Sequence, residues 1–268
     1  MANHIVALRP DLPSSARVGN TLLGGKDNYE IDRIVATQVS RRFVVALREG
    51  RRFLLRAVSY LASEQAVHQY VELGCGIALP PDIGDAATHR GESARVLYLD
   101  HDILAAAHAH ALLANSPDRR FALIDITDTA AVLDQITGFL DLGEPLAVCL
   151  SGTAELLPEA PAMLAELTTA LPSGCWIIFS HITDDVFGAD IRASASELER
   201  YAITCRPRDH ATLADMLAPY RLLSPGLVAP HRWRPEFDNR VSLGFHPVEL
   251  DLSAYAAVGR LRDEGVEQ

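Results

Sequence analysis

The sequence is short of the features that mark secreted, zinc-bound and membrane proteins. Its four cysteines, Cys75, Cys149, Cys175 and Cys205, stand far apart, with no CxxC pair and no histidine at zinc spacing. Neither a disulfide scaffold nor a zinc site follows from that pattern, which fits a reducing compartment. Cys149 and Cys175 lie in apolar runs and read as small core residues. No apolar run is long enough to cross a bilayer. Met1 to Ser15 lacks a basic segment followed by an apolar one, so no secretory signal is visible and a cytoplasmic protein is expected. Positive charge is scarce too. Against 35 Asp and Glu stand 24 Lys and Arg, a formal net charge of -11. Such a chain repels a phosphate backbone, so neither nucleic acid nor a membrane is an expected partner. One local basic run, Arg41, Arg42, Arg48, Arg51, Arg52 and Arg56, reads as a solvated helix face.

What is present is apolar and patterned. The 268 residues are 49% hydrophobic and 22% charged, enough to bury a large core. Residues 1–28 carry Pro10, Pro13 and the run Leu22-Leu23-Gly24-Gly25-Lys26-Asp27-Asn28, which reads as an irregular arm. Apolar residues then recur at helical spacing from Ile31 to Leu61, predicting two helices separated near Gly50. From about residue 68 short apolar runs alternate with helical segments. The runs are 68–73, 95–100, 120–124, 145–150 and 175–180, and the clearest helices are 102–114, 128–139 and 159–171. Helical stretches near 191–203 and 209–217 follow, then strand candidates 221–229 and 254–261. Continuous apolar strands alternating with amphipathic helices predict an α/β, Rossmann-like sheet of about seven strands, covered on both faces. An arm with a helical cap over 1–63 and a sheet domain over 64–268 is the expected division.

The carboxyl ends of these strands hold the candidate site. The first strand runs into Glu72-Leu73-Gly74-Cys75-Gly76. A Gly-x-Gly turn after a strand lets a ligand approach the backbone, where a Cβ would block it. The dinucleotide fingerprint needs a third glycine at position 79, where this chain has leucine, with Pro80 and Pro81 behind it. That favours a ligand without pyrophosphate. The second strand ends in Asp100-His101-Asp102, with Asp100 placed to accept from both ribose hydroxyls and Asp102 to cap the next helix. Asp125 and Ile126 end the third strand. They are placed either to meet an adenine edge or to start a helix. Ser151-Gly152 ends the fourth and completes the row.

These segments, with several others, resemble an actinobacterial family of S-adenosylmethionine-dependent methyltransferases, once a domain of unknown function. The most specific element is Leu22-Leu23-Gly24-Gly25-Lys26-Asp27-Asn28. Arg52 to Val58, Glu72 to Gly76, Tyr98 to Asp102, Pro172 to His181, Pro225 to Val228, His231 to Pro235 and Tyr255 to Arg260 follow in the same order. The resemblance implies a class I methyltransferase sheet with an N-terminal helical cap, and S-adenosylmethionine as cofactor. It implies that Arg17, Lys26 and Asp27 lie near the cofactor, the lysine meeting its carboxylate and the aspartate its ammonium. Glu72, Gly74, Gly76, Asp100, His101, Asp125, Ile126 and Ser151 complete the expected cofactor site. The chain departs from the family pattern at three places. Gly19-Asn20-Thr21 stands where Tyr-Asp-Tyr is usual, Cys75 where threonine is usual, and Glu155 where a histidine is usual.

Methyl transfer from a sulfonium is an in-line displacement, so the protein chiefly aligns a nucleophile and excludes water. A base is needed where the acceptor must lose a proton. Glu155 and His181 are the expected catalytic residues, with His231, Asp184 and Asp185 as further candidates. Glu155 can deprotonate an acceptor or steady a cationic amine. It can equally be a helix-start carboxylate, and His181 a satisfied core histidine. His231-Arg232-Trp233-Arg234 is a candidate substrate wall. No metal is expected, and Asp184, Asp185 and Asp190 read as solvated loop carboxylates. A small-molecule acceptor in secondary metabolism is expected, with homodimer formation open. Two other chemistries stay open. One is attack on another carbon of the sulfonium, by cyclisation or aminocarboxypropyl transfer, releasing methylthioadenosine. The other is cofactor binding without turnover.

Overall fold

The computed structural model describes residues 9–88, 93–113, 116–237 and 251–263. Its sheet has seven strands: β1 (Gln69–Leu73), β2 (Arg95–Asp100), β3 (Arg119–Leu123), β4 (Leu146–Ser151), β5 (Trp176–Ile182), β6 (Tyr220–Leu222) and β7 (Ala254–Leu261). The order is β3-β2-β1-β4-β5-β7-β6. The first five strands are parallel, and β7 inserts antiparallel between β5 and β6. Strand order reverses between β1 and β4, where open α/β sheets bind ligands beyond the carboxyl ends of their strands. The central strands β1 and β5 are buried along their whole length, as continuous apolar runs covered on both faces must be.

Helices α1 (Ser15–Leu23), α2 (Glu30–Ala36) and α3 (Arg41–Glu64) precede the sheet. Helix α4 (Ile83–Ala87) follows β1, α5 (Ile103–Leu113) follows β2 and α6 (Thr129–Thr137) follows β3. After β4 come a single 3₁₀ turn, Ala154–Leu156, and α7 (Ala160–Ala170). Helices α8 (Gly188–Arg200) and α9 (His210–Met216) link β5 to β6.

The expected irregular arm contains a helix. Ser14 caps α1 by accepting from the Arg17 N–H, and Gly24 ends it in the left-handed conformation at φ 92°. Gly19, Asn20 and Thr21 are poor helix formers, which hides α1 from pattern reading. The expected break at Gly50 does not occur, and α3 runs through it unbroken. The chain breaks instead before Ser40, whose hydroxyl caps α3 at Phe43 N. Gly50 serves close approach: a Cβ there would sit 3.1 Å from Ser180 Oγ on β5. One face of α3, with Phe53, Leu54, Ala57 and Leu61, packs in the same cluster as Tyr70, Ala147, Ile178 and Val258 of the sheet.

Of the arginines of α3, Arg41, Arg42, Arg48 and Arg52 are exposed, as expected of a solvated face, while Arg51 is half-buried and Arg56 buried. Arg42 pairs with Asp190, and Arg48 donates to Leu22 O. Arg51 pairs with Glu72 and Arg52 with Glu49. Arg56 is buried and donates to Trp233 O and Pro230 O. Trp233 is itself fully buried, edge-on to Phe53 and Tyr60. The segment expected to wall the substrate is therefore core packing against α3. His231 leaves the list of bases with it, because it does not line the cavity described below. Strand β6 is shorter than expected. The Ser224-Pro225-Gly226 turn interrupts it, and Val228 rejoins β7 only as an isolated bridge to Ala256.

Candidate active site

A cavity of about 530 Å³ opens over the carboxyl ends of β1, β2, β4 and β5, in the crevice where strand order reverses. Its size is within the range of small-molecule sites. Its floor is the row of strand ends, and Pro13 to Ala16, Gly19, Asn20 and Leu23 of the arm and α1 form another wall. Ten of the thirteen site residues expected from the sequence line it: Glu72, Gly74, Gly76, Asp100, His101, Asp125, Ile126, Ser151, Glu155 and His181.

Gly74 and Gly76 both adopt positive φ, 68° and 64°. A Cβ on Gly74 would fall 2.4 Å from Thr153 Cγ2, so the β1 and β4 loops meet only because this position is bare. A Cβ on Gly76 would meet nothing within 4 Å. The space in front of that backbone is open, as a cradle for a ligand requires. Asp100 is buried, and both its oxygens are oriented by backbone. Oδ2 accepts from Gly76 N at 2.7 Å and Oδ1 from Asp102 N at 2.8 Å. Burial pushes its carboxyl up, while the two N–H donors pull it back. Each oxygen keeps a further lone pair for a ligand. Asp102 caps α5 at Leu104 N, as expected. His101 sits at the rim, its side chain 69% exposed and Nδ1 3.8 Å from Asp100.

Asp125 is exposed and turns back on Thr127, accepting from its N–H and its hydroxyl. The helix cap is Asp128, not Asp125. Ile126 is buried beside it. Ser151 Oγ lies 2.6 Å from Ser180 Oγ, a link between the tips of β4 and β5. Glu72 is buried, and its Oε1 lies 3.0 Å from Arg51 Nη1. Burial raises the Glu72 carboxyl to about 7, against the pull of Arg51. Arg51 also donates to Pro81 O, which places a guanidinium in the cavity wall directly behind the first strand's turn.

Glu155 lies on the 3₁₀ turn after β4 and is 2% exposed. Neither carboxylate oxygen has a hydrogen-bond partner. Burial raises this carboxyl to about 7, offset in part by nearby backbone of Glu155 and Ile182 and by the charge of Arg208. Its backbone is pinned, since Arg206 N donates to Glu155 O and the Arg208 guanidinium donates to Ala154, Leu157 and Pro158 carbonyls.

His181 lines the cavity but is not a base. Its Nδ1 lies 2.6 Å from Ile182 O and its Nε2 2.9 Å from Arg208 Nη1. The carbonyl requires a proton on Nδ1, and the guanidinium requires a lone pair on Nε2. Burial, with Arg208 beside it, lowers the imidazole to about 3. His181 therefore stays neutral with both nitrogens engaged.

Three expected residues stand apart from the cavity lining. Arg17 is buried but turned into the arm. It pairs with Asp32 at 2.9 Å and donates to carbonyls of Arg9 and Leu12. Lys26 is exposed. Asp27 is exposed as well, and its carboxylate lies 3.8 Å from His108 of α5. The arm run is a structural clasp: Asn20 Oδ1 accepts from Asp27 N and Asn28 Nδ2, and Asn20 Nδ2 is buried without a partner against Gly25, where a Cβ would fall 2.3 Å from it. Arg51 and Asn20 are among the cavity residues that the sequence pattern does not single out. Among the described residues no group of three or more potential ligands can hold a metal ion. Asp184 pairs with Arg192, Asp190 with Arg42, and Asp185 accepts from His210 N. No described helix is long and apolar enough to cross a membrane.

Comparison with known proteins places this geometry. The family model described as S-adenosyl methyltransferase matches residues 2–262. The chain belongs to the S-adenosyl methyltransferase family. It is thus a transferase whose cofactor is S-adenosylmethionine, as the resemblance implied. A DUF574 family protein from Streptomyces avermitilis is 29% identical, over 94% of this chain and 100% of its own, with a TM-score of 0.84. A candidate methyltransferase from Thermobifida fusca is 26% identical, over 94% of this chain and 96% of its own, also at 0.84. The plantazolicin methyltransferase BamL, solved with S-adenosylhomocysteine and a triazolic desmethylPZN analogue, is 11% identical over 91% of this chain and 95% of its own. Its TM-score is 0.53, and it shares the fold. No curated protein matches the sequence.

The cavity fits the cofactor on its own terms. The open Gly76 backbone, the oriented Asp100 carboxylate and the Arg51–Glu72 pair offer partners for a chain that carries ribose hydroxyls, an ammonium and a carboxylate.

Proposed function

We propose that the protein methylates a small-molecule acceptor, in the cytoplasm and within secondary metabolism. One observation carries the reading. A single cavity is lined both by the ribose-side groups, Gly76 and Asp100, and by Glu155 with the apolar cluster of Leu156, Ile182, Ile203 and Ala254. The arm lies along one wall of that cavity, which suits a small acceptor better than a macromolecular one. Four free cysteines suit a reducing compartment. The metabolic setting rests on the resemblance to an actinobacterial family. The acidic charge argues against nucleic-acid and membrane partners, and a homodimer is compatible with the reading.

In this reading Asp100 accepts from the ribose hydroxyls, with His101 at the rim. Asp125 and Ile126 meet the adenine edge, and Gly74, Gly76 and Ser151 give the ligand access to backbone. Arg51, rather than Lys26, faces the cofactor's carboxylate, and Glu72 its ammonium. When bound, the cofactor supplies an electrophilic methyl carbon on a sulfonium. The chain excludes water with the arm and holds the acceptor at Glu155, which accepts its proton. His181 and Arg208 fix the backbone that carries Glu155.

A second chemistry has its own observation. Gly19 and Asn20, where the family pattern has aromatic and acidic residues, line the cavity. An altered wall can redirect attack to another carbon of the sulfonium. Mass analysis after incubation with S-adenosylmethionine and candidate acceptors separates the two. The proposal expects S-adenosylhomocysteine and a methylated acceptor. Methylthioadenosine as the product would overturn it.

A further inference from the structure

We propose that the acceptor is a small, largely apolar amine that binds as its ammonium, with Glu155 as its counter-charge. This rests on the cofactor-and-acceptor reading of the cavity given above. Four carboxyl groups line the cavity: Glu72, Asp100, Asp125 and Glu155. Three of them have partners in the protein. Glu72 has Arg51, Asp100 has two backbone N–H groups, and Asp125 has Thr127. Glu155 has no side-chain partner on either oxygen and is 2% exposed; only the backbone of Glu155 and Ile182 approaches its carboxylate, without forming a well-aligned hydrogen bond. A buried carboxylate without a partner is unfavourable unless it takes up a proton or a ligand satisfies it.

The surroundings decide which ligand can. The cavity side chains Leu156, Ile182, Ile203 and Ala254 are apolar, and no protein side chain hydrogen-bonds Glu155; Arg208, whose charge reaches it, spends its Nη N–H groups on carbonyls and on His181. A hydroxyl offers one hydrogen bond and no charge. An ammonium offers several N–H donors and a positive charge in direct contact with the carboxylate together. An anionic acceptor is disfavoured on the same grounds. Among the described residues lining the cavity, Arg51 is the one permanent cation, and Glu72 already holds it.

The site then performs one proton transfer. The ammonium gives its proton to a Glu155 oxygen, which leaves a lone pair on nitrogen. That nitrogen forms the new bond to the methyl carbon as the sulfur–methyl bond breaks and its electron pair stays on sulfur. The product is a methylated ammonium, and the Glu155 proton leaves to water afterwards.

The test is calorimetric and needs no turnover. S-adenosylhomocysteine is titrated into the protein first, which tests the cofactor reading by itself. Hexylamine, hexanol and hexanoate, then phenethylamine, phenethyl alcohol and phenylacetate, are titrated into the loaded protein. In each series the amine is expected to bind at least ~10-fold tighter than the alcohol, with the carboxylate weakest. Glu155→Gln and Glu155→Leu are expected to erase the preference. If either variant fails to fold, the wild-type comparison decides alone. S-adenosylhomocysteine binding with no preference for amines overturns this inference and leaves the cofactor reading standing. Failure of S-adenosylhomocysteine to bind removes both.

Discussion

Replacing Asp100 with alanine is expected to weaken S-adenosylhomocysteine binding by about 30- to 1,000-fold, equivalent to ~2–4 kcal/mol. The expectation comes from how the carboxylate is held. Gly76 N and Asp102 N orient both oxygens before any ligand arrives, so a ribose diol meets a charged acceptor that has no rotamer left to lose. The variant also strips those two N–H groups of their acceptor, so the Gly-x-Gly turn loosens together with the ribose contact. Asparagine is no conservative substitute here, because its NH₂ would face one of two backbone donors. Calorimetry on the folded variant measures the loss. Unchanged affinity would remove Asp100 from the site.

The second large effect is on stability. Glu155 titrates near 7 in the folded protein, against an ordinary carboxyl value of 4.5. A raised carboxyl binds its proton more tightly in the folded state, so stability falls as pH rises from 4.5 to about 7 and stays reduced above that. Glu155→Leu removes this dependence. At about pH 8 the variant is expected to gain ~3 kcal/mol on the wild type beyond whatever difference exists at about pH 4. The groups whose charges reach Glu155 are Cys205 and Arg208, both in the segment before α9. Both remain in the variant, and Glu72 titrates alike in both proteins, so the difference isolates Glu155. Denaturant unfolding at the two pH values gives the result. A difference independent of pH would show that the carboxyl is solvated or paired.

The sheet was legible because parallel strands buried on both faces are continuous apolar runs. The runs at 95–100 and 145–150 match β2 and β4 to within a residue. Gly74, Gly76 and Asp100 were legible for a related reason: a strand's tip and the turn after it are local in sequence. Other features depend on tertiary contact. Arg51 looked like one arginine in a helical run, and only the crossing of α3 over β1 brings it to Glu72. His181 looked like a base at the end of a strand, and only the return of the chain at Arg208 shows both nitrogens engaged. Arg17 and Lys26 were assigned by resemblance, and the arm folds the first into Asp32 and leaves the second in solvent. A helix broken at Gly50 was a sound expectation from propensity. It failed because Ser180 needs the space a side chain would fill.

The central claim is that the crevice between β1 and β4 holds the adenosyl sulfonium. Crystals grown with S-adenosylhomocysteine test it most directly. The expected density places the ribose hydroxyls on the Asp100 carboxylate and the amino-acid end toward Arg51 and Glu72. Density for the compound elsewhere, with side chains filling the space before Gly76, would contradict the account.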